Sequence, residues 1–292
     1  MKKILAAVLL AALCAGVLGL TAFVLWRQLR PQPQPNATPS VAVSIFTGAK
    51  FYRNRATACQ RTWVSQFPHT FFHSTTPDPF LPVRALTYDS PHQEDYESAL
   101  WKCLLGLEDL YTAFPDDDWF YTVGCDTFVV ADPLRAFLRS LDPHELIVVG
   151  GHPLHLHEPA VNYFSGGGGI LLSRAVMERM KGQWSSVVTE WLQCTTGNAT
   201  TAADAALAYG LRQRLPTLRW VECPTLWAYD WHQLTAEQRR TPPAALHYVT
   251  PQRMLEYKQH APWTTQKKWG RSRTTSSSPN IPSDTAASRP WT

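Results

Sequence analysis

Residues 119 to 130 read WFYTVGCDTFVV: an apolar run, a Gly-Cys break, one carboxylate at Asp126, and a second apolar run. A short, continuous apolar run of this kind predicts a strand buried on both faces. A carboxylate at the end of such a strand is seldom buried unless it is paired or bound to a metal. A hard divalent cation such as Mg²⁺ or Mn²⁺, which takes oxygen ligands and phosphate together, suits Asp126. The neighbouring triplet Asp116-Asp117-Asp118 follows Phe114-Pro115 and precedes the strand, so it predicts a solvated turn and not a metal site.

The rest of the chain alternates. VAVSIFT (41–47), HTFFHS (69–74), VRALTY (83–88) and LIVVG (146–150) predict strands. Between them a helical stretch runs from Asn54 to about Gln66, and another helix starts at Pro133. Residues 96–114 place Leu100, Leu104, Leu107 and Tyr111 on one helical face. Ser173 is positioned to cap a helix running through Met180. Strands alternating with helices define an α/β fold with a mixed, mostly parallel sheet flanked by helices. Such sheets bind ligands beyond the carboxyl ends of their strands, where Asp126 falls.

Charge narrows the partners. Residues 31–263 carry 18 cations against 22 anions, and a mildly acidic body has no electrostatic footprint for nucleic acid. Residues 4–26 lack any charge and are long enough for a bilayer span, which needs about 20 residues. A cleavable signal would have a shorter apolar region, so an N-terminal transmembrane helix is expected. Lys2 and Lys3 balance Arg27 and Arg30, which leaves the topology undecided by charge. The sequons at Asn36 and Asn198 point to a lumenal body. The expected layout is a cytoplasmic tail (1–3), a signal-anchor (4–26), a Pro-rich stem (27–40), a lumenal domain (41–263) and a disordered basic Ser/Thr-rich tail (264–292). Cys59, Cys103, Cys125, Cys194 and Cys223 lack zinc-site spacing. They form either two bridges, with Cys125 as the odd thiol, or a set of small buried apolar side chains.

Four segments in order carry a family resemblance: the Asp126 motif, NYFSGGGGILLSRAVMERM (162–180), CTTGNATTAADAALAYGL (194–211) and AALHYVTPQRMLEY (244–257). CQRTWVSQF (59–67) adds a weaker match. Together they resemble glycosyltransferase family 31, the fringe and core 1 β1,3-galactosyltransferase group. The first acid of that family's three-aspartate motif is Gly124 here, and its acidic pair reads Ala203-Asp204. The resemblance implies a GT-A-type nucleotide-sugar-binding fold. It makes Asp126 and His247 ligands of Mn²⁺ or another divalent cation, and Asp204 the catalytic base. Ser165, Gly166 and Gly167 fall on the family's Ser-Gly-Gly segment, where backbone without side chains lets a UDP-sugar approach closely. Thr47, Arg53 and Arg55, at the end of the first strand, are candidates to meet the uracil or diphosphate.

The implied activity is inverting transfer of a hexose, galactose or an N-acetylhexosamine, to a glycan or glycoprotein hydroxyl, with a β1,3 linkage. The setting is a single-pass type II membrane protein of the Golgi or ER. Each residue also has a plainer reading: Asp204 as a helix N-cap, His247 as a hydrogen-bonded core histidine, the arginines as surface charges. His155 and His157, on one face of HPLHLH, are read as cleft or solvent-facing residues. A catalytically inactive chaperone or scaffold is the alternative for the whole chain. Joint retention of Asp126, Asp204 and His247 argues for the enzyme.

Overall fold

A computed structural model of the chain describes residues 38–264. The expected signal-anchor, most of the stem, the Asn36 sequon and the basic tail lie outside the described residues. Within them, no helix is long and apolar enough to cross a membrane.

The elements are β1 (Val41–Phe46), α1 (Thr57–Thr62), β2 (Thr70–Ser74), β3 (Val83–Ala85), α2 (Ala99–Ala113), β4 (Trp119–Gly124), β5 (Phe128–Val129), α3 (Ala131–Leu138), β6 (Ile147–Leu156), β7 (Val161–Ser165), β8 (Ile170–Ser173), α4 (Arg174–Met180), α5 (Trp184–Cys194), α6 (Ala203–Arg214), β9 (Arg219–Glu222), β10 (Leu226–Trp227), β11 (Ala245–Leu246) and α7 (Pro251–Gln259). The main sheet has the order β3-β2-β1-β4-β8-β6-β7, with β9 also paired to β6. Its β3-β2-β1-β4 half is parallel, whereas β8 runs antiparallel to both β4 and β6. The sheet is therefore mixed and mostly parallel, with helices on both faces, as the alternation of strands and helices predicts.

The two-residue period of the strands sorts the core. Val41, Val43 and Ile45 of β1, with Trp119, Tyr121 and Val123 of β4, pack with α1, α3 and α7. Ala42 and Phe120 face the opposite side, against α2, α4, α5 and α6. A side chain on either face is enclosed, so these strands read as continuous apolar runs.

Connectivity places the site. From β1 the chain crosses to β2 on one side, then returns through α2 to β4 on the other side of β1. This reversal is a topological switch point, and the crevice beyond β1 and β4 is where open α/β sheets bind ligands. Thr47 and Asp126 both lie just past those strand ends.

A small second sheet, β10-β11-β5, completes the arrangement. β11 pairs antiparallel with β5 through Leu246↔Phe128 and Ala245↔Val129. One further step along that register sets His247 opposite Thr127, and Val249 N–H donates to the Asp126 carbonyl at 2.9 Å. The second apolar run of the opening motif thus carries His247 to Asp126 across the sequence.

Three local readings are decided by the fold. The triplet 116–118 is a turn, but it is not simply solvated. Asp117 is buried and bonds the His69 ring at 2.6 Å, while Asp118 accepts from Ser40 and Arg174. It sits at the opposite end of β4 from Asp126, about 20 Å of strand away at about 3.3 Å per residue. All five cysteines in the described residues are free; Cys59, Cys103, Cys125 and Cys223 are buried small side chains, whereas Cys194 is exposed. Ala202, not Asp204, is the N-cap of α6. Ser173 does cap α4, accepting from Val176 N–H at 3.3 Å.

Candidate active site

A cleft at the switch point is lined by Thr47 from β1, Gly124 and Asp126 from β4, Arg55 from the turn before α1, and the 165–167 turn after β7. Asp204 and His247 also line it. Its empty volume is about 1320 Å³, a figure that includes the open solvent at its mouth.

Asp126 is buried, at 8% exposure. One carboxylate oxygen lies 3.5 Å from Arg55 Nη1 and the other 3.5 Å from His247 Nε2. Burial alone raises its pKa, but the His247 contact and the Arg55 charge outweigh it and hold the carboxyl below its ordinary value. Arg55 also covers the Phe51 ring at 4.4 Å, and a π-helical turn at Tyr52–Ala56 sets its position.

His247 is held from behind. Its Nδ1 lies 3.3 Å from the Ala228 carbonyl and its backbone N–H donates to Tyr229 O at 3.2 Å. The supporting loop is pinned by Asp230, which is buried and accepts from Tyr257 Oη at 2.6 Å, from Trp231 N–H, and from Arg253. Nε2 is the ring nitrogen that faces Asp126 Oδ1; a tautomer with Nδ1–H donating to Ala228 would leave the Nε2 lone pair available to a cation placed between them. Imidazole held by a backbone carbonyl, opposite a carboxylate oxygen, is a donor set that fits a divalent cation. Mixed nitrogen and oxygen ligation suits Mn²⁺ better than Mg²⁺.

Asp204 sits in the first turn of α6, partly buried. Its Oδ2 accepts from Gly166 N–H at 2.8 Å and its Oδ1 from Ala205 N–H at 2.9 Å. Burial raises its pKa, opposed by those backbone donors and by His247. A carboxyl tuned upward in a cleft is matched to general-base work.

The glycine turn contacts both Asp204 and His247. A β-carbon on Gly167 would lie 2.4 Å from His247 Nδ1, so only glycine fits between them. Thr127 Oγ1 donates to Gly167 O at 2.9 Å and Tyr121 Oη to Gly168 O at 2.6 Å, fixing the turn over β4. Gly169 has φ +80, a conformation that favours glycine. Gly167→Ala is expected to displace His247 and destabilise the protein by about 1–3 kcal/mol, the usual cost of overpacking. Denaturant unfolding checks this; an unchanged midpoint would mean the turn is looser than it stands.

Among the sequence-derived residues, Thr47, Arg55, Asp126, Gly166, Gly167 and His247 line one cleft. Ser165 and Asp204 complete that lining. Arg53 stands apart. Its guanidinium pairs with Asp78 at 2.8 and 3.3 Å and covers the exposed Phe80 ring, outside the cleft. His155 and His157 are on the β6–β7 hairpin, away from the lining residues, with His155 bonded to Asn162 at 2.8 Å. Sequence reasoning missed Glu94, Tyr96, Lys102 and Tyr248, which also line the cleft. A lysine between Trp101 and Cys103, on the apolar helix α2, was the available signal for one of them.

The mixed sheet, its switch-point cleft and the converging carboxylates fit the GT-A architecture of glycosyltransferases. The chain belongs to the Fringe-like family, a glycosyltransferase family 31 group, whose profile matches residues 37–253. It is 29% identical over 222 residues to human chondroitin sulfate synthase 3, covering 70% of this chain and 23% of that protein. The mouse protein of the same name is 29% identical over 214 residues, covering 67% and 22%. The chain thus spans about a quarter of the length of these curated relatives. Among solved structures, a glycosyltransferase involved in glycosylation of the major capsid of PBCV-1 superposes with a TM-score of 0.46 at 15% identity, over 76% of this chain and 100% of that one. The apo-form glycosyltransferase GlyE of Streptococcus pneumoniae TIGR4 gives a TM-score of 0.37 at 13% identity, over 78% and 62%.

Proposed function

We propose that this glycosyltransferase moves a hexose from a UDP-sugar to a glycan or glycoprotein hydroxyl with inversion, in a β1,3 linkage, from a Golgi or ER membrane anchor at residues 4–26. The observation that carries the reading is the convergence of Asp126, His247 and Asp204 around one glycine turn from three distant parts of the sequence. Asp126 and His247 would hold Mn²⁺ or a similar cation. A cation bound there would supply positive charge to offset that developing on the diphosphate as UDP leaves. Arg55, in contact with Asp126, adds a fixed positive charge on the same side.

Asp204 accepts the proton of the acceptor hydroxyl as that oxygen forms its bond to the anomeric carbon. The bond from that carbon to the UDP oxygen breaks on the opposite face. Two of the carboxylate's roughly four lone-pair positions are taken by Gly166 and Ala205 N–H, which fixes its orientation and leaves capacity for the hydroxyl.

Calorimetry of the purified protein tests the metal assignment. UDP is expected to bind with Mn²⁺ and to lose its affinity in EDTA. Equal affinity in both conditions would sink it. A UDP-sugar turnover panel tests the activity; binding without turnover of any donor would transfer the argument to the chaperone or scaffold reading.

A further inference from the structure

Lys102 lies in the middle of α2, on the face that packs against the sheet, and only 2% of it is exposed. It also lines the cleft, on the side of the β1 and β2 strand ends. Among the described residues its hydrogen bond goes to Glu94 Oε2, at 3.1 Å. An ammonium has three donors, so this bond leaves two for other partners. Burying such a group is costly unless those donors are met.

Glu94, by contrast, is saturated. Its carboxylate accepts from the N–H groups of Ala49, Thr75 and Thr76, from the hydroxyls of Ser74 and Thr75, and from Lys102. These donors come from the ends of β1 and β2 and from α2, so one side chain ties three elements at the edge of the cleft. Burial pushes the Glu94 carboxyl upward, but the donor set prevails and holds it at about 2. Glu94 stays ionised and fixes both the position and the neutralising partner of Lys102.

A cation already neutralised by Glu94 is suited to orienting neutral acceptor oxygens and not to offsetting a diphosphate. Asp126, His247 and Arg55 supply the diphosphate side of the same cleft. Resting on the nucleotide-sugar reading above, we infer that Lys102 is a ligand-contacting residue for the nucleoside part of the donor, donating to its ring or sugar oxygens, and that Glu94 is its positioning residue.

The test compares UDP with inorganic pyrophosphate, each with Mn²⁺, by calorimetry. Lys102→Met keeps the side-chain length without charge. It is expected to weaken UDP at least about tenfold while pyrophosphate binds as in the unmodified protein. Glu94→Gln should weaken UDP about three- to tenfold with the same selectivity, and it serves if Lys102→Met fails to fold. Unchanged UDP affinity in both variants overturns the inference. Equal loss of UDP and pyrophosphate also overturns it, since Lys102 would then act on the phosphates. If the unmodified protein binds neither ligand, it is the nucleotide-sugar reading that fails.

Discussion

Asp204→Asn should reduce glycosyl transfer by about two to four orders of magnitude, the usual worth of a positioned general base. UDP-sugar binding should stay close to that of the unmodified protein, because Asp204 is not one of the proposed cation ligands. The substitution is not silent structurally. Both Asp204 oxygens accept backbone N–H groups, and an amide retains only one accepting oxygen. Either Gly166 or Ala205 loses its partner, at a cost of about 1–3 kcal/mol if the donor is left unmet. Thermal unfolding beside the kinetics separates that loss from the catalytic one. The pH profile supplies a second check. Transfer requires the ionised carboxylate, so the rate falls as pH drops through the Asp204 pKa. Because burial raises that pKa, the acid limb should lie above the range of an ordinary aspartate, about 3.9. The residual activity of the Asn variant should lack this limb. Full activity in Asp204→Asn would place the base elsewhere.

Asp126→Asn should act on the donor instead. It removes the charge that faces both His247 and Arg55, and with it one of the two proposed cation ligands. UDP affinity in Mn²⁺ should fall by more than the roughly 10–100-fold that loss of a mere supporting partner costs a metal site. The remaining affinity should no longer respond to EDTA. The paired outcome is diagnostic: Asp126→Asn loses binding, whereas Asp204→Asn keeps binding and loses turnover. UDP affinity left intact by Asp126→Asn would remove the metal from the assignment. Gly124 bears on the same point. A β-carbon there would sit 2.9 Å from Asp126 Oδ1, so the glycine makes room for the one carboxylate that remains.

Much of the fold was legible because its signals are local. Continuous apolar runs marked β1, β2, β4 and β6, since strands covered on both faces have no polar side to show. The leucine spacing marked α2, and Ser173 marked the start of α4. The elements that escaped are those whose pairing partners are remote. β5 and β11 are two residues each, too short for any periodicity, yet their pairing brings His247 to Asp126.

The sequence by itself determined the chemical types and the place where they would act. A carboxylate at a buried strand end, a glycine run before a capped helix and an aspartate opening a later helix are each readable in a short window. The tertiary structure alone decided which of them share a site. It set Arg55 against Asp126 and turned Arg53 outward to Asp78, although the two arginines differ by only two positions. It tied Asp117 and Asp118 into the far end of the sheet, and it buried Lys102 against Glu94 in the cleft. The physical reason is that a short window specifies backbone conformation and burial. The distance between side chains more than a hundred residues apart depends on strand order and register, which are settled only when the whole core packs.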